Sequence, residues 1–236
     1  MNSQLDAVAK SYDRDIDLGR KGIGPDPYGD GLPEYIKNDP DYAAFQKARA
    51  EGLDSDSART EIRDYLSPGS SMNFVDLGCC LNLMFKGYAE WPSTYHGVDI
   101  SSETIKLLKE FSAHHNLNVG ALTCGSIHET PFEDHYFDLG ACIGVLEYFD
   151  RNFVSKALAE AHRIMKPGGR LVLDIPDNGG RMRRIMNLIE TSMGRPDQFD
   201  LSPQEFEEML LGYFEVEKTE TIDGVAMIQY FLRRVV

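Results

Sequence analysis

Two kinds of side chain in this sequence are placed to do chemistry. One is an acidic residue at the end of a short apolar run: Gly97-Val98-Asp99-Ile100-Ser101. An acidic residue there, about twenty residues beyond a first strand-to-helix turn, can accept both hydroxyls of a ribose. The first turn is Val75-Asp76-Leu77-Gly78-Cys79-Cys80-Leu81-Asn82. The other kind is a proton acceptor: His128, Glu147 or His162. A neutral imidazole and a carboxylate are the common biological bases. His128 follows the third apolar run and Glu147 the fourth. His128 equally fits an ordinary loop histidine, Glu147 a loop-orienting carboxylate, and His162 a structural helix position. No Ser-His-Asp or Cys-His constellation stands out.

These residues need a scaffold, and the pattern supplies one. Apolar runs at Asn73–Leu77, Tyr95–Ile100, Val119–Cys124, Phe137–Ile143 and Arg170–Ile175 read as strands. Near-continuous apolar runs suit parallel strands covered on both faces. Gly120 sits awkwardly inside the third. Helical spacing lies between the runs. Ser101 or Ser102 can cap a helix with Ile105, Leu108 and Phe111 on its inner face. Asp150 can cap another carrying Val154, Ala157, Leu158, Ala161, Ile164 and Met165, stopped by Pro167-Gly168-Gly169. Ser202-Pro203-Gln204-Glu205 is a capping box. Phe214–Thr221 and Val225–Arg233, joined across Asp223-Gly224, predict a terminal hairpin. Alternating β and α elements imply a doubly wound α/β sheet. In an open sheet of that kind, ligands gather beyond the carboxyl ends of the strands. Residues 1–54 read as irregular, with helices at about 40–50 and 57–66.

The chain has 236 residues, 42% hydrophobic and 26% charged, enough for one sizeable globular core. Its formal net charge of −14 repels phosphate backbones and acidic lipid surfaces. This speaks against nucleic-acid and membrane partners. Arg181, Arg183 and Arg184 form the one obvious basic patch, read as a solvated helix face. No apolar run reaches the ~18–20 residues of a bilayer span, and Met1–Lys10 has no apolar leader core. Cys79, Cys80, Cys124 and Cys142 repeat no metal-ligand spacing and read as buried free thiols of a reducing cytoplasm.

The segments Pro131–Tyr148 and Leu158–Leu173, with the Asp76–Gly78 turn and Asp99, make the chain resemble the class I S-adenosylmethionine-dependent methyltransferases. The likeness is to their small-molecule branch of quinone-biosynthesis and glycine-type enzymes, and it covers about 73–236. It implies a Rossmann-like sheet of seven strands, the last antiparallel to the rest. It also implies an N-terminal extension or lid over 1–70 and the catalytic domain over 71–236. S-adenosylmethionine would be the cofactor and S-adenosylhomocysteine the product. Asp76 and Gly78 would face the methionine part, Asp99 the ribose hydroxyls, Ile100 one face of the adenine, and Ser126 and Ile127 its edge. The backbone at Cys142 and Ile143 would meet the methionine amino group. Tyr12 would close over the cofactor. Glu147 and Tyr148 stand where relatives often carry Glu-His, so Tyr148 replaces a residue that sometimes acts as base.

Three positions depart from the family pattern. Cys80 and Asn82 stand where glycines are usual, and Ser126 where an aspartate is usual. Serine lacks the stronger charge-assisted hydrogen bond. The resemblance implies methyl transfer to a small-molecule oxygen, carbon or nitrogen. The lost glycines keep a second reading open: a cyclase, an isomerase or a binding module on the same fold. A nicotinamide-binding Rossmann domain ranks third, opposed by Pro167-Gly168-Gly169 and the terminal hairpin. Tyr12, Tyr28, Tyr35 and Tyr42 fit either a lid or ordinary packing. Residues 177–199 are the other expected substrate cover, although Met182, Ile185, Met186 and Ile189 on one helix face also suit a core. The acceptor and the oligomeric state are left open.

Overall fold

The computed structural model describes residues 3–21, 31–48, 60–79, 90–222 and 226–235. Cys80, Asn82, Tyr28 and the Asp223-Gly224 turn therefore lie outside the described residues. The strands are β1 (Asn73–Leu77), β2 (Thr94–Asp99), β3 (Val119–Cys124), β4 (Phe137–Cys142), β5 (Met165–Pro176), β6 (Phe214–Ile222) and β7 (Met227–Arg234). They form one seven-stranded sheet in the order β3-β2-β1-β4-β5-β7-β6. The first five run parallel, while β7 pairs antiparallel with both β5 and β6. This is the expected doubly wound sheet with its terminal hairpin.

Period-two alternation sends side chains to two separate cores. On one face Val75, Leu77, Leu171, Leu173 and Leu232 meet α6 (Arg151–Ile164) through Val154, Leu158 and Ala161, and α8 (Pro203–Leu210) through Phe206. On the other, Phe74, Leu139, Val172 and Phe231 meet α4 (Thr60–Leu66) through Ile62 and Leu66, and α5 (Ser102–His114) through Ile105 and Leu108. The caps form as read. Ser101 Oγ accepts from Thr104 N, Asp150 from Phe153 N, and Ser202 and Glu205 complete the reciprocal box.

Several expectations need correction. The N-terminal segment begins with an 18-residue helix, α1 (Ser3–Arg20). Its apolar stripe, Leu5, Val8, Tyr12 and Ile16, is too sparse to stand out among charged neighbours. Shorter helices follow, α2 (Glu34–Lys37) and α3 (Tyr42–Ala48). Helix α6 ends at Ile164, ahead of Pro167-Gly168-Gly169, which belongs to the irregular start of β5. Cys79 and Cys142 are buried free thiols, but Cys124 is exposed at the end of an edge strand. The helix after β5, α7 (Arg183–Ser192), turns Met182, Ile185 and Ile189 onto Leu32, Ile36 and Phe45. Those hydrophobes are core rather than substrate cover. In the basic patch, Arg184 pairs with Asp39 and Asp41, and Arg183 with Asp197. Among the described residues no helix is long and apolar enough to cross a membrane.

Gly120 has a physical reason. A Cβ there would lie 2.1 Å from Nε2 of the buried His96 ring, so β3 passes β2 only with a bare backbone. Gly120→Ala is expected to destabilise the fold by about 1–3 kcal/mol, read as a lower urea midpoint at unchanged m-value.

Candidate functional site

Beyond the carboxyl ends of β1, β2, β3 and β4 lies a cleft of about 420 Å³, partly open to solvent. It gathers residues from five separate stretches of chain. Leu5, Val8 and Tyr12 come from α1, Gly78 from the first turn, Asp99 and Ile100 from the end of β2, and Ser126 and Ile127 from the end of β3. Gly144, Val145, Tyr148, Phe149 and Phe153 complete it after β4.

Position 78 in the first turn is bare by necessity. Gly78 has φ +75°, and a Cβ on it would sit 2.4 Å from Val145 Cγ2. Glycine thus supplies both the left-handed conformation and the close approach of the first turn to the fourth. Asp99 is buried at the cleft edge, with Oδ1 accepting from Ser101 N at 2.8 Å. Burial pushes its pKa up to about 6, against the opposing Ser101 hydrogen bond and with help from the Asp13 charge.

Seven of the expected site residues line this cleft: Tyr12, Gly78, Asp99, Ile100, Ser126, Ile127 and Tyr148. Five do not. Asp76 is buried inside β1 and accepts from Tyr95 Oη at 2.7 Å. Burial lifts its pKa to about 7 despite that hydrogen bond, with the Asp99 charge adding to the rise. Cys142 is buried in the core, and burial raises its thiol pKa well above the ordinary range. Ile143 packs into the opposite core. His128 stands one step back, with Nδ1 2.5 Å from Ser126 Oγ and its ring against Phe153. Glu147 lies behind Gly144. A Cβ on that glycine would come within 3.8 Å of Glu147 Oε1, and Oε2 is buried with no hydrogen-bond partner among the described residues. Burial, then the charge of Asp174, lift the Glu147 pKa well above the carboxylate range. His162 packs on Tyr213 and Phe214, away from the cleft. Of the four tyrosines read as a lid, Tyr12 reaches the cleft, Tyr35 is exposed and Tyr42 packs beside α7.

The sequence reading missed the polar wall behind Tyr12. Tyr148 Oη donates to Glu190 Oε2 at 3.2 Å and lies 3.3 Å from Tyr12 Oη. Arg195 is 4% exposed. It pairs with Glu190 at 2.5 Å and Asp15 at 2.9 Å, and its guanidinium lies 4.4 Å from the centre of the Tyr12 ring. Ser11 Oγ and Arg14 both donate to the Met193 carbonyl, at 2.8 and 2.7 Å. Helix α1 is thereby fastened to the turn after α7. An arginine followed by proline in a loop gave no signal of this, because its partners are 5 and 180 residues away.

Comparison with known proteins adds a likeness to this geometry. Residues 75–173, 99 of the 236, match the family model described as a methyltransferase domain. The chain is 35% identical over 77 residues to the bovine mitochondrial 2-methoxy-6-polyprenyl-1,4-benzoquinol methylase, covering 31% of this chain and 22% of that protein. It spans 40% and 38% of the length of two further curated relatives, from Streptomyces fradiae and Methanocaldococcus jannaschii. Among solved structures, geranyl diphosphate C-methyltransferase from Streptomyces coelicolor superposes with a TM-score of 0.70 at 16% identity, covering 99% of both chains. The [4+2]-cyclase SpnF superposes with a TM-score of 0.64 at 15% identity, over 97% of this chain and 95% of that one. At those identities the structural likeness establishes the fold. It extends to nearly the whole chain, including the N-terminal region outside the methyltransferase domain.

Two outcomes follow from the site's electrostatics. Removing Arg195 takes the guanidinium away from the buried Glu190 carboxylate, so Arg195→Ala is expected to cost about 3–5 kcal/mol, seen as a loss of thermal stability. Asp76, with its folded pKa raised, binds its proton more readily when folded. Its contribution is most favourable at low pH and is lost as pH rises through about 7. Asp76→Asn is therefore expected to gain stability relative to wild type at pH 8, with the gain shrinking by pH 5. Denaturation at both pH values checks this.

Proposed function

We propose that this protein transfers a methyl group from S-adenosylmethionine to a small-molecule acceptor. One observation carries the reading: Asp99 borders the cleft at the end of β2, together with Gly78, whose position admits no side chain. The residues present suit the cofactor. The Asp99 carboxylate can accept the two ribose hydroxyls while Ser101 N steadies its Oδ1. Ile100 and Ile127 offer apolar faces to the adenine, and Ser126, backed by His128, offers its edge a hydroxyl. The charge of Asp174 adds to the burial that raises the Glu147 pKa, a cost that a positively charged ligand beside them would relieve.

When bound, the cofactor supplies a methyl group on a sulfonium, whose departing thioether is neutral. Placement and exclusion of water can then supply much of the rate. Helix α1 lines one side of the cleft through Leu5, Val8 and Tyr12 and narrows its access to water. Glu147 lies behind Gly144 rather than on the cleft lining, and burial favours its protonated form, so it does not serve as a base in this arrangement. The Tyr148 hydroxyl also stays protonated. Burial raises its pKa well above the ordinary value, and its proton is committed to Glu190. The apolar lining of Leu5, Val8, Phe149 and Phe153 and the net charge of −14 favour a small molecule over a nucleic acid.

Calorimetry with S-adenosylhomocysteine tests this. Wild type should bind it, and Asp99→Ala should weaken binding by about 100-fold, as expected for losing hydrogen bonds to a charged group. Binding should weaken as pH falls below about 6, where Asp99 takes up a proton. A wild-type protein that ignores the ligand at millimolar concentration would remove the proposal.

A further inference from the structure

Tyr12 faces the cleft, but its neighbour Asp13 turns to the opposite bank. Asp13 Oδ1 accepts from Ser101 Oγ at 2.6 Å and from Glu103 N at 3.2 Å. Ser101 is wholly buried, and its hydroxyl and backbone N–H are spent on three partners. Its hydroxyl proton goes to Asp13, its hydroxyl lone pair caps Thr104 N at 2.9 Å, and its backbone N–H goes to Asp99 Oδ1 at 2.8 Å. A serine hydroxyl has one proton to donate. Asp13 therefore decides which way that hydroxyl points, and with it the turn that orients Asp99. The Asp13 carboxylate also sits at the N-terminus of the 13-residue helix α5, a position that favours negative charge. Arg20, about two α1 turns further on, pairs with Glu103 of helix α5.

We propose that Asp13 is a positioning residue for the nucleoside site: through Ser101 it fixes the Asp99 carboxylate and makes the seating of α1 part of ribose recognition. The inference rests on reading the cleft as the S-adenosylmethionine site. It assigns α1 a role beyond lining the cleft, because the helix that flanks the ligand also holds the residue that grips it. The charged and titratable groups around Asp99 are Asp13 on α1, Asp76 on β1, Cys124 at the end of β3, and Glu103 and Lys109 on α5. Among them Asp13 joins Asp99 through a single intervening residue.

The two contributions of Asp13 separate by substitution. Asp13→Asn keeps an acceptor oxygen for Ser101 but removes a negative charge beside Asp99. Asp13→Ala removes both. The probe is S-adenosylhomocysteine, measured by calorimetry on the full chain from pH 5 to pH 8, with thermal melts confirming that each variant is folded. Asp13→Ala should bind about tenfold more weakly at pH 8, where Asp99 is ionised in every variant. Asp13→Asn should bind within about threefold of wild type at pH 8, with the acid limb of its binding profile moved to lower pH. Ser101→Ala should reproduce the weakened affinity of Asp13→Ala. A purely structural role for Asp13 would not move the acid limb in a folded, isosteric variant. Wild-type binding with both Asp13 variants unchanged in affinity and profile overturns this inference alone. Failure of wild type to bind overturns the cofactor reading and the inference together.

Discussion

A carboxylate held at the edge of a cleft, mostly out of water, is the constraint around which the rest of this molecule is arranged. Asp99 ends β2 where the sheet stops and the ligand space begins, and ionising it there is costly enough to raise its pKa to about 6. The Ser101 amide repays part of that cost and also fixes the carboxylate's direction. Ser101 can do this because it caps α5, and it caps α5 in a set orientation because Asp13 takes its proton. Strand end, helix start and N-terminal helix are thus joined by a few hydrogen bonds around one serine.

Helix α1 is attached on two sides, and the attachments differ in kind. Towards α5 it uses Asp13 and the Arg20–Glu103 pair. Towards the turn after α7 it uses the Ser11, Arg14, Asp15 and Arg195 network. The second is the more deeply buried, since Arg195 and Glu190 are both nearly sealed from solvent. Buried ion pairs add little net stability compared with packed apolar groups, yet losing one partner is severe. Such a pair fixes geometry more than it stabilises, and here it holds Tyr12 and Tyr148 against one wall of the cleft.

Much of the scaffold could be read from residue order. The five parallel strands, the caps at Ser101, Asp150 and Ser202, and the terminal hairpin all follow from local pattern, because apolar runs and capping residues act over a few positions. The cleft residues Gly78, Asp99, Ile100, Ser126 and Ile127 could be named because strand ends in an open α/β sheet point to the ligand. What escaped was whatever depends on distant contacts. Helix α1 reads as irregular chain from the sequence because its few apolar residues are enough only when the cleft and the α7 turn receive them. Gly120 looked like a flaw in β3 until His96 was seen to fill the space beside it. Asp76 reads as a cofactor contact from its place in the turn, but its buried side chain accepts a hydrogen bond from Tyr95 on the neighbouring β2.

The sequence by itself determined the order of strands and helices from β1 onward, the family likeness, and the acidic residue that ends β2. These are matters of local propensity and periodicity, which a single stretch of chain carries within itself. The tertiary structure alone decided which carboxylates face the cleft and which are buried behind it. It alone decided that Arg195 backs Tyr12, and that Asp13 reaches Ser101 across 88 positions of chain. A charge's effect depends on distance and on access to water, and only the folded chain sets those two quantities.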